Sequence, residues 1–225
     1  VARRPPRLSA AEAAGCGVPF VTAFEALALG GVTAGTWVCV AGAAGAVGRA
    51  AIELARARGA SVVALVKDDA QAANVIATPE VKVARADHDE LALVVRDATG
   101  GRGCDVALNG VGASAFAPLF DGLADGGRMV VYSVLAGREA PLDLFALYRR
   151  RISVLGLSTA IVDAARGAAI LDELAPLFES RAVQPLPVAA RFPLAEAVAA
   201  YERVARRVPG KVVLELRASS PHQPT

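Results

Sequence analysis

The stretch that most constrains this chain is residues 36–59, TWVCVAGAAGAVGRAAIELARARG. It opens with a short apolar run at 37–41, of strand length and β-branched character. Gly42, Gly45 and Gly48 follow at intervals of three. A helical spacing comes next, with Val47, Ala50, Ala51 and Leu54 on one side and Arg49, Glu53 and Arg56 on the other. Gly59 supplies a stop. Strand, glycine turn and helix open a dinucleotide-binding βαβ unit. The glycines let the chain bend sharply, bring backbone close to a pyrophosphate and seat the helix on the strand. Free amides of the first helical turn then face the anion. The pattern is G-x-x-G-x-x-G, with Ala44 in the middle glycine's usual place.

The rest of the chain alternates in the same way. Strands are predicted over 61–66, 81–84, 104–108, 128–134, 152–157 and 211–216. Between them fall helices over 70–76, 90–97, 116–123, 142–150, 162–180 and 193–206, with Pro118 in the first turn of its helix. The last of these carries Leu194, Val198 and Tyr201 on its apolar side. Before the glycine turn, Ser9 and Glu12 form a capping box for a short helix to Ala14, and a second helix starts at Val18. Nearly continuous apolar strands such as SVVALV fit a parallel sheet covered on both faces. The expectation is an α/β fold, a Rossmann-type doubly wound parallel sheet of about six strands. Residues 1–8 read as a lead-in, 9–217 as the nucleotide-binding domain and 218–225 as a flexible tail.

Composition excludes several classes. With 54% hydrophobic residues the chain can bury a core, and a net charge of +2 gives no electrostatic case for nucleic acid. Three adjacent arginines, Arg149 to Arg151, read as a solvated helix end. Residues 26–48 are uncharged but hold six glycines and two threonines, which argues against a membrane span. No secretory pattern is present, so a cytoplasmic location is expected. Cys16, Cys39 and Cys104 lie in separate segments with no C-x-x-C, which suggests buried thiols in a reducing compartment. With His88 and His222 the only histidines, a histidine-rich metal site is impossible.

The second strand bears on the nucleotide. An NAD site usually ends that strand with an acid, yet the position falls on Val66 and is followed by Lys67. Lys67 can neutralise a 2′-phosphate, which favours NADPH over NADH. Asp68 and Asp69 stand close enough to reach a ribose instead. Neither G-x-S-x-G nor Y-x-x-x-K occurs, which removes elbow-type hydrolases and short-chain dehydrogenases.

The segments GCGVPFVTAFEAL, VCVAGAAGAVGRAAIELARARGA, GCDVALNGVG, LADGGRMVVYS, FPLAEAVAAYERV and PGKVVLEL occur in this order. In this they resemble the medium-chain dehydrogenase/reductases, closest to the zinc-independent quinone oxidoreductases of the zeta-crystallin-like group and the enoyl reductases. The resemblance implies hydride transfer from NADPH to a quinone or enone, without zinc. In zinc-dependent relatives a cysteine placed like Cys16 ligates the catalytic metal, but here it reads as a buried thiol. Family members carry a GroES-like catalytic domain whose residues are missing from this sequence. The chain is therefore expected to work as the nucleotide-binding half of an enzyme or with a separate catalytic domain or subunit, its last strand needing another partner. A non-catalytic module that senses NADPH or docks a partner is the alternative.

By resemblance, Ala44, Gly45, Ala46 and Val47 meet the pyrophosphate, and Lys67 the 2′-phosphate. Val111, Gly112, Tyr132, Ser133 and Val134 line the nucleotide cleft. Thr22, Ser158 and Thr159 approach the nicotinamide. Catalytic residues are not assigned. Ala86 stands where many quinone reductases put an adenine-stacking tyrosine. The resemblance also implies a homodimer paired along the sixth strand.

Overall fold

The computed structural model describes residues 2–75, 77–85, 90–206 and 208–216. The expected helix end at Ile76, Ala86, His88 and the tail lie outside these residues. Six strands form one parallel sheet: β1 (Trp37–Ala41), β2 (Ser61–Val66), β3 (Val81–Arg85), β4 (Cys104–Asn109), β5 (Leu123–Val131) and β6 (Ser153–Gly156). Their order is β3-β2-β1-β4-β5-β6, so the sheet reverses direction of growth between β1 and β4.

Alternation along each strand divides the core in two. Val38, Val40, Val62, Ala64, Val106, Leu108 and Val130 face one side. There they pack against α1 (Ala10–Gly30), α2 (Ala46–Ala57) and α7 (Ala164–Glu179). Cys39, Ala41, Val63, Leu65, Ala107 and Met129 face the other, against α4 (Leu91–Ala98) and α5 (Ala113–Gly122). Cys16, Cys39 and Cys104 are all buried. Two short helices, α3 (Asp69–Ala72) and α6 (Leu144–Arg149), complete the connections.

Several boundaries differ from expectation. The two N-terminal helices are one, α1, which runs through Pro19. Ser9 and Glu12 do form the capping box. Pro19 costs a helical hydrogen bond, but Gly15 and Cys16 before it and Phe20, Phe24 and Leu27 beyond it are buried on one helix. Continuous burial overrides the local break. α1 is also long and apolar enough to cross a bilayer, yet most of it is buried in the fold. The uncharged stretch 26–48 divides among α1, β1 and the glycine turn.

Pro118 is the sixth residue of α5, past its first turn. β5 ends at Val131, which leaves Tyr132, Ser133 and Val134 beyond the strand. Arg149 and Arg151 are exposed, but Arg150 is half-buried; its guanidinium donates to the carbonyls of Phe120 (3.3 Å) and Leu123 near the end of α5. That satisfies helix-terminal carbonyls and complements the dipole there.

One strand was missed. β7 (Val188–Pro193) pairs in parallel with β8 (Lys211–Glu215), connected through α8 (Ala197–Ala205). The last strand's partner is thus within the chain. The expected helix start at 193 is a 3₁₀ turn over Leu194–Glu196, and Leu194, Val198 and Tyr201 are exposed.

Gly48 explains how closely α2 lies on the sheet. A Cβ at Gly48 would collide with the carbonyl oxygen of Gly42 and lie 2.8 Å from Ala43 Cα. Both obstacles are backbone, so neither can rotate away. Gly48→Ala should therefore destabilise the fold by about 1–3 kcal/mol, measured as a lowered urea midpoint at unchanged m.

Candidate functional site

A cleft of about 680 Å³ opens at the C-terminal ends of β1, β2 and β4, at the point where strand order reverses. Its floor is the bend from β1 into α2. Gly42 takes φ +76°, a value that favours glycine, and Gly45 donates its amide to Gly42 O at 2.9 Å. Gly45 is also the N-cap of α2 and brings no side-chain cap. The first amides of α2 therefore keep their hydrogen-bonding capacity for a ligand. Ala44, Gly45 and Ala46 line the cleft, while Val47 is half-buried and packs toward the core.

The wall from β4 is held by Asn109. This fully buried side chain accepts from the amides of Val111 (3.0 Å) and Gly112 (2.8 Å) and donates to Gly112 O (3.0 Å). It fixes the turn that sets Gly110 and Val111 on the cleft. Sequence reading missed Asn109 and ended the strand one residue early; the Asn-Gly pair is the signal that marks such a turn. Gly112 does not line the cleft. It takes φ +113° as the N-cap of α5, and a Cβ there would lie 2.7 Å from Gly137 O.

Tyr132 is half-buried beside this wall, and its side chain lies across Gly110. Burial pushes its phenol far above the usual value, so the hydroxyl stays protonated. Ser133 and Val134 precede Leu135 and Ala136, which line the rim in their place.

At the end of β2, Lys67 lines the cleft, and its amide donates to Gln71 Oε1 at 3.1 Å. Asp68 caps α3 by accepting from Gln71 N at 2.8 Å. Asp69 pairs with Arg85 at 2.7 Å. Both acids that could serve a ribose are thus engaged locally. Arg49, Gln71 and Asn74 line the same end, and none was foreseen. Arg49 sat on the polar side of its helix, where periodicity alone cannot tell a ligand contact from solvation. Pro209, Gly210 and Lys211 form the opposite rim, which depends on the unforeseen β7–β8 pair.

Thr22, Ser158 and Thr159 form a separate group. Thr22 Oγ1 donates to Val18 O at 2.7 Å and lies 3.4 Å from Thr159 Oγ1. Ser158 is exposed beside them, and none of the three lines the cleft.

No three His, Cys, Asp or Glu converge among the described residues. Cys16 donates its thiol to Glu12 O at 3.3 Å, and burial pushes its pKa up to about 11.

The sheet order, switch-point cleft and open helix end define a nucleotide-binding fold of the Rossmann type. A family described as zinc-binding dehydrogenase matches residues 72–214. The chain belongs to that family, within the medium-chain dehydrogenase/reductases its motifs resemble. It is 30% identical over 224 residues to a mycocerosic acid synthase-like polyketide synthase of Mycobacterium tuberculosis, covering 95% of this chain and 10% of that protein. A mycobacterial quinone oxidoreductase superposes with TM-score 0.84 at 26% identity, covering 94% of this chain and 66% of that one. A mycobacterial protein complexed with NADPH gives TM-score 0.80, also at 26% identity, over the same shares. The chain spans between 6% and 52% of the first curated relatives it matches.

The Cys16 thiol gives a pH prediction. Below about pH 9 the thiol is protonated in both folded and unfolded chain. Between there and about 11 the unfolded chain releases its proton and the folded one does not. Stability should therefore fall with rising pH across that window. Urea midpoints at either end should show a smaller fall in Cys16→Ala than in the parent.

Proposed function

We propose that the chain is the nucleotide-binding part of an NADPH-dependent oxidoreductase that reduces a quinone or an electron-poor alkene. The observation that carries this reading is the cleft itself: a glycine bend with an uncapped helix end at the switch point, and Lys67 at the ribose end with both neighbouring acids engaged. The match to the dehydrogenase family supports an oxidoreductase, and the NADPH-complexed neighbour supports the nucleotide.

The nicotinamide, when bound, supplies the hydride. The chain's own residues bind and orient. Amides of Ala44, Ala46 and Val47 receive the pyrophosphate, and Lys67 receives the 2′-phosphate. Val111, held by Asn109, gives the cleft an apolar wall. Gly112 is held in that turn by Asn109, and the assignment of the nucleotide side extends to Tyr132, Ser133 and Val134. Thr22, Ser158 and Thr159 lie farther along, toward where a substrate and a catalytic domain meet the nicotinamide.

The reading includes a zinc-independent reaction, supported by a Cys16 thiol that is buried and donates to Glu12 O. It includes a homodimer paired along β6, an edge strand whose residues are largely exposed. It includes a cytoplasmic location, supported by three free cysteines.

Lys67→Ala tests the nucleotide assignment. It should weaken NADPH about tenfold or more and leave NADH within about twofold, read by nicotinamide fluorescence titration. Equal loss for both nucleotides would remove the 2′-phosphate role of Lys67.

A further inference from the structure

We propose that Arg49 is a second phosphate-binding cation beside Lys67, selecting a dinucleotide phosphorylated on its adenosine ribose. This rests on the nucleotide reading above and adds a specificity residue to it.

Arg49 is the fourth residue of α2, one turn beyond the N-cap Gly45. It lines the cleft together with Lys67, Gln71 and Asn74. It also lines a smaller cavity of about 200 Å³ between α1, α2, Asn74 and the 184–187 segment. Arg49 therefore faces the β2 side of the cleft, where the second ribose of a dinucleotide lies, rather than the β4 side.

The guanidinium is half-buried, and loss of water lowers its pKa. Partial loss of hydration makes an incoming anion a favourable partner for it. No carboxylate lies within salt-bridge distance of it among the described residues. Two acids near it, Glu53 and Glu12, are engaged elsewhere. Glu53, one turn along α2, pairs with Arg56 at 3.5 Å and accepts from Gln184 N at 3.0 Å. Its field steadies the Arg49 charge but does not pair with it. Glu12, across the smaller cavity, accepts from the amide and hydroxyl of Ser9 at 2.8 and 2.7 Å.

The surrounding donors fit a phosphate monoester. Gln71 spends its carbonyl on Lys67 N, which leaves its amide nitrogen available. Asn74 donates one hydrogen to Ala70 O at 2.6 Å and keeps a second. Among the described residues, none lining the cleft is an Asp or Glu. A guanidinium fork and an ammonium on two elements can hold a dianion from two directions, which one lysine alone cannot do.

The test compares Arg49→Gln and Arg49→Lys with the parent chain, titrating NADPH, NADH, 2′,5′-ADP and 5′-AMP by calorimetry. Arg49→Gln should weaken NADPH and 2′,5′-ADP about tenfold or more and leave NADH and 5′-AMP within about twofold. Arg49→Lys should recover part of that loss. Unchanged thermal midpoints exclude a folding effect. Equal weakening of NADH and 5′-AMP would place Arg49 on the shared phosphates and overturn the inference, as would unchanged NADPH affinity. A parent chain that binds neither dinucleotide would overturn the function reading, and this inference with it.

Discussion

Backbone meets backbone where β1 turns into α2, and the rest of the molecule is arranged to permit it. Gly48 sits against the carbonyl of Gly42 with no room for a side chain. That contact sets the distance of α2 from the sheet. It also aims the open end of α2 at the gap between β1 and β4. Two buried clusters pack the sheet from its two faces, and α2 belongs to one of them. A bulkier residue at the bend would move the helix end and remove the anion site together.

Much of this was legible because the signals are local. The span 37–41 and the span 61–66 were each read as strands and are so, since β-branched runs bounded by glycine or polar residues leave little choice. The six-strand parallel sheet follows from alternation of strands and helices. Of the residues expected near the nucleotide, Ala44, Gly45, Ala46, Lys67 and Val111 do line one cleft.

What escaped reading depends on distant partners. The break expected between Ala14 and Val18 disappears once residues on both sides of it are seen to be buried on one helix. β7 carries the sequence VAARFP, half-buried and with weak alternation, so only its pairing with β8 defines it. Arg49 and Arg150 look alike in sequence as charged helix residues. One lines the cleft and the other satisfies carbonyls near the end of α5, because of what the fold sets opposite each. Asn109 was hidden by its own place at the end of an apolar strand.

The β7–β8 pair matters beyond its own stability, since Pro209, Gly210 and Lys211 close one side of the cleft. The function of the fold rests on main-chain amides at the glycine bend gripping a diphosphate. Amide-resolved NMR titration with ADP tests it most directly. The amides of Ala44, Ala46 and Val47 should shift first and furthest, saturating with the nucleotide. Shifts confined to the β6 edge or α8, with the bend unmoved, would contradict it.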